Sequence, residues 1–151
     1  MRILGNLKNS ITTPPTAWRD DGDGRIWVKA TAHGNLTAKT MYMLLYDATG
    51  YVTKALTAGV LTYRVVVPLA AVSSGEDAWM VAAGPIEDCI TANLDMTAGH
   101  AFIMNNGALT DAGAAPAGTA GECAVCLTTD AAGAVAVHDL MLFGELITPG
   151  A

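Results

Sequence analysis

The residues with the most obvious chemical potential are Cys123-Ala-Val-Cys126, a spacing that elsewhere serves redox or zinc chemistry. Redox use wants the pair at a helix N-terminus, where the dipole lowers a thiol pKa. Here the pair falls in residues 122–128, which read as a strand. Side chains alternate faces along a strand, so two positions three apart point opposite ways and neither chelate one metal nor close a simple disulfide. A zinc site would also want a second ligand pair, and only Cys89 and His138 remain. These cysteines therefore read as buried strand residues. Their odd number, three, does not suit a disulfide framework. Asp20-Asp-Gly-Asp-Gly24 resembles a calcium loop only briefly. Counted from Asp21, position 5 is Arg25 and position 12 is Ala32, where an EF-hand needs an oxygen ligand and a Glu. A solvated turn is the better reading. Ser10, Ser73 and Ser74 are the serines, and none stands in a Gly-x-Ser-x-Gly elbow. His33, His100 and His138 lie at predicted strand ends or edges without a partner pattern. Gly22–Gly24 and Gly84-Pro85 lack the Lys, Ser or Thr of a phosphate loop. No enzyme class is supported, and no metal or cofactor is expected.

The elements that would position these residues are short. Apolar runs predict strands at 25–32, 41–46, 51–56, 62–68, 77–83, 87–92, 100–104, 122–128 and 134–143. Turn residues separate them: Asp47-Ala-Thr-Gly50, Ser73-Ser-Gly-Glu76, Gly84-Pro85, Asn105-Asn-Gly107 and Asp130-Ala-Ala-Gly133. Gly and Asn at these places supply the positive φ of tight turns. Spacings of about 8–15 residues without sustained helical periodicity favour an all-β fold, a single small β-barrel or β-sandwich. Residues 41–46 and 51–56, joined by Asp47–Gly50, form the clearest hairpin. The stretch 110–121 is Ala/Gly/Pro-rich and reads as a flexible surface loop.

Residues 1–23 differ from the rest. Pro14 and Pro15 fix φ and forbid helix there, so the segment reads as an extended N-terminal arm ending near Trp18, with the β domain spanning 24–151. Trp18 then anchors either on a neighbouring molecule or on the chain's own domain.

The chain has 151 residues, about one domain's worth. Its 52% hydrophobic content excludes intrinsic disorder. Much of that content is small: Ala is the commonest residue, while the aromatics make up only 6%. Small side chains bury little area each, so a thin core gains from packing against other subunits. No run approaches a membrane span of about 20 apolar residues. The start lacks an apolar signal region, which fits synthesis in the cytosol. A net charge of −6 weighs against nucleic acid as a partner. The charge is unevenly spread. All eight Lys and Arg lie between Arg2 and Arg64, where four acids accompany them for a net of +4; beyond Arg64 stand ten acids and no Lys or Arg. Such a division suits docking of the basic part on an acidic partner surface. The contact set expected is Pro14, Pro15, Trp18, Arg19, Arg25, Trp27 and Lys29.

One long stretch has a family likeness. It begins with Thr62-Tyr-Arg-Val-Val-Val-Pro and Ala78-Trp-Met-Val-Ala-Ala-Gly-Pro. It continues through Thr97-Ala-Gly-His-Ala-Phe-Ile-Met and Gly121-Glu-Cys-Ala-Val-Cys, and closes on Val135-Ala-Val-His-Asp-Leu-Met-Leu. This text resembles the head decoration, or cement, proteins of tailed bacteriophages. The resemblance implies a small β-barrel or β-sandwich on the outer surface of an icosahedral capsid. It further implies contact with the major capsid protein, self-association as a homotrimer or homodimer, stiffening of the shell, and no catalytic residues. Two other classes share the text. One is a different virion component, such as a tail-tube, fibre-base or head–tail adaptor protein. The other is a carbohydrate-binding β-sandwich module using its Trp and Tyr residues.

Overall fold

The computed structural model describes residues 17–56, 64–105, 108–111, 121–129 and 135–147, and every regular element among them is a strand. The all-β expectation holds. The strands are β1 (Trp18–Asp20), β2 (Ile26–Thr31), β3 (Tyr42–Asp47), β4 (Gly50–Lys54), β5 (Arg64–Val66), β6 (Asp77–Leu94), β7 (Ala101–Asn105), β8 (Ala108–Asp111), β9 (Glu122–Cys126) and β10 (Val135–Ile147).

Local chemistry accounts for the hairpin. β3 and β4 pair from Met43↔Lys54 to Asp47↔Gly50, leaving Ala48 and Thr49 as the turn. Asp47 Oδ1 accepts from the Thr49 backbone N–H at 2.7 Å and from its hydroxyl at 2.6 Å, while Gly50 takes φ +126°. The Thr49 hydroxyl, more than any other group, holds the Asp47 carboxyl below its usual pKa.

β5, β3, β4, β2 and β6 follow one another in hydrogen-bonded order. The row curls until its ends meet, because Val67 and Val81 exchange backbone hydrogen bonds of 2.9 Å each way. The parallel step between β2 and β4 is likewise a single pair, Thr31↔Val52. Period-2 burial places Ile26, Val28 and Ala30 inside this small barrel and Trp27, Lys29 and Thr31 outside. Tyr42, Leu44, Val66, Met80 and Ala82 complete the inner cluster, and Trp18 of β1 closes it.

β6 does not stop at the barrel. It continues for 18 residues and pairs with the 13-residue β10, from Leu142↔Gly84 to Val135↔Leu94. β9, β7 and β8 extend this second sheet. Its core of Ile86, Phe102, Cys123, Ala124, Leu140 and Leu142 packs on Val65, Val67 and Val81 from the barrel strands.

Several boundaries differ from the sequence reading. The strands expected at 77–83 and 87–92 are one strand. Gly84 (φ +111°) and Pro85 make a bend, and pairing with β10 carries the ladder through it. A turn signal is local, and a continuous partner strand overrides it. Residues 108–111, partly assigned to the Ala/Gly loop, form β8 against β7; the remainder of that loop, 112–120, lies outside the described residues. Most of the expected arm, including Pro14 and Pro15, also lies outside them. The end of the arm is strand β1, paired with β2 from Trp18↔Val28 to Asp20↔Ile26.

Candidate interaction face

The outward side chains of β1, β2 and β6 meet on one surface of the barrel. Register sets Arg19 against Trp27, Lys29 against Trp79 and Thr31 against Asp77. The Arg19 guanidinium lies over Trp79, 4.4 Å from the ring centroid, and 5.4 Å from that of Trp27. Each such contact contributes about 0.5–2 kcal/mol, depending on exposure. Arg19 Nε is also 2.8 Å from Asp21 Oδ2, an ionic contact that misses hydrogen-bond geometry. The pair is more than a third exposed, so screening leaves it little energy, and the rings do most to fix the guanidinium. The result is a cation held against an aromatic surface before any partner arrives. Lys29 stands beside it, half-exposed, its Nζ 4.0 Å from Asp77 Oδ2.

The other expected contact residues are placed differently. Trp18 faces the barrel interior at 7% exposure. Its Nε1–H donates to Tyr51 Oη at 3.0 Å, and the two rings meet edge-on at 5.5 Å. Arg25 turns toward the bend in β6, where its Nε donates to the Pro85 carbonyl at 2.9 Å. Trp27 is half-buried against the second core, with Nε1 3.4 Å from Asp23 Oδ2. Thus Arg19, Trp27 and Lys29 share a face, Arg25 braces the fold and Trp18 packs inside.

Sequence reasoning missed Trp79 and Asp77 as members of this face. Alternation within 77–83 puts them on one side of their strand. Which strand that side would meet depends on pairing with β2, far away along the chain.

The remaining candidates resolve into local structure. Asp20 Oδ1 accepts the Gly22 N–H and Asp23 Oδ1 the Arg25 N–H, so the acidic segment is a pair of side-chain-capped turns. Cys89, Cys123 and Cys126 are free thiols, all buried. Burial pushes Cys89 and Cys123 up to about 12. Cys126 Sγ donates to the Thr128 carbonyl at 3.0 Å. His138 is buried with Nδ1 2.6 Å from Thr91 Oγ1, and His100 Nδ1 lies 3.3 Å from Asp111 Oδ2. Among the described residues no three His, Cys, Asp or Glu side chains gather as a metal set.

No family model matches the chain, and no curated protein does. Among solved structures, it is similar to the N base of the head fiber protein gp8.5 of bacteriophage phi29. The likeness covers 80% of this chain and 95% of that one, with a TM-score of 0.49 and 13% identity.

Proposed function

We propose that this chain is a non-enzymatic structural subunit of a tailed-phage virion. In this reading it binds the outer surface of the head through the β1–β2–β6 face and bridges neighbouring capsid subunits. The observation that carries the reading is the Arg19 cation fixed on Trp27 and Trp79 beside the half-exposed Lys29. A pre-ordered aromatic and cationic surface loses little conformational freedom on docking, and such residues dominate protein interfaces. The resemblance to head decoration proteins and the concentration of every Lys and Arg at or before Arg64 support the same reading. Weak contacts repeated by the symmetry of a shell then add as avidity, with the subunit acting as a homotrimer or homodimer.

The test is co-sedimentation with empty heads across a salt series. Arg25 is left intact because it braces the bend in β6. The double variant Arg19→Glu with Lys29→Glu is expected to bind at least about tenfold more weakly, a loss of about 1.4 kcal/mol. Unchanged shell binding by a folded double variant overturns the assignment. Co-sedimentation with tails or fibre bases instead of heads moves the chain to another virion component.

A further inference from the structure

A shallow dish of about 180 Å³ opens at the edge of the interaction face, between β2, the start of β6 and the β3–β4 hairpin, and shares Lys29 and Asp77 with that face. We propose that it is a binding subsite for one neutral, polyhydroxylated ring, the sugar unit of a glycan. This goes beyond the shell-binding reading and does not depend on it.

Charge selects the class of ligand. The charged side chains lining the dish are Lys29 and Asp77, one of each sign. Their charges offset, so the dish offers no net attraction to a phosphate or to an amine. Their arrangement suits hydroxyls instead. Asp77 Oδ1 accepts the Thr31 hydroxyl at 2.6 Å, which fixes the carboxylate. Oδ2 stands 4.0 Å from Lys29 Nζ, beyond hydrogen-bond distance. An acceptor and a donor therefore stand side by side as a loose ion pair with no hydrogen bond between them. A hydroxyl both donates and accepts, so two adjacent ring hydroxyls engage the pair together, one donating to Oδ2 and the other accepting from Nζ.

The other wall is aromatic. Tyr46 is 48% exposed, and its ring meets Tyr51 edge-on at 5.2 Å. Tyr51 is in turn braced by Trp18 through ring contact and hydrogen bond. The exposed ring is thus positioned from the barrel core outward. It offers a firm apolar surface to the C–H face of a sugar while the hydroxyl edge turns to Lys29 and Asp77. Tyr and Trp supply this kind of contact area at low entropic cost. The volume is below the ~300–1,000 Å³ of drug-sized pockets, which limits the occupant to a single ring.

The experiment is saturation-transfer NMR on the isolated chain, without heads, so its outcome is separate from shell binding. The probes are methyl glucoside, methyl galactoside and N-acetylglucosamine, with methyl phosphate and tetramethylammonium as charged comparisons. Transfer to at least one sugar, and to neither ion, is expected. Tyr46→Ala and Asp77→Asn should each weaken it by roughly tenfold, and Tyr46→Phe should retain it. Tyr46 lies outside the β1–β2–β6 face and Asp77 within it, so the assay without heads reads both losses apart from shell binding, and an unshifted melting temperature certifies that the variants fold. Absence of transfer to all three sugars, transfer that survives both variants, or preferential binding of either ion overturns the proposal.

Discussion

Trp18 illustrates how far residue type alone reaches. Its place after a Pro pair left two anchors open, a neighbour or the chain's own domain. The structure buries it inside the barrel, with its N–H satisfied by Tyr51. Trp18→Ala should therefore cost about 3–5 kcal/mol of stability, read by chemical denaturation. That is a large share of the ~5–15 kcal/mol typical of a domain. The cysteines were more legible, because a CxxC inside a strand pattern argues for burial over chemistry. Burial keeps Cys89 and Cys123 protonated to about 12, against 9.0 for a free thiol. The unfolded chain releases those protons first. Their contribution to stability is thus intact below about 9.0 and falls as pH climbs toward 12. Denaturation midpoints measured across that window should decline. At neutral pH a thiol reagent should leave all three cysteines unmodified until the chain unfolds.

At the scale of elements, hairpins were readable and long strands were not. Asp47-Ala-Thr-Gly50 specifies its own turn, because the Asp side chain and the glycine φ act within the turn itself. Gly84-Pro85 carries equally strong turn residues, yet β6 runs through them. The deciding contacts come from β10, the last strand among the described residues. β8 was missed for a related reason, since its small polar text gains its conformation from β7. The bend in β6 also gives a sharp test. A Cβ on Gly84 would stand 2.5 Å from the Gly24 carbonyl oxygen and 3.0 Å from Arg25 Cα, at φ +111°. Both neighbours are backbone and cannot swing aside. Gly84→Ala should destabilise by about 1–3 kcal/mol or more and loosen the Arg25–Pro85 hydrogen bond, read by melting and by arginine side-chain NMR.

For the whole molecule, the all-β class was visible in the spacing of turns, and the charge division was visible by inspection. The arrangement of the interaction face was not. It needs three strands brought into register, and no local pattern encodes which outward residues become neighbours. The barrel and the second sheet share β6 and pack together through Val65, Val67 and Val81. Calorimetry should accordingly show one cooperative transition with equal calorimetric and van't Hoff enthalpies, where two resolved steps would mean separable halves. A strand held in common also limits recombination. Exchange of either half for a foreign counterpart would sever the ladder that both rely on.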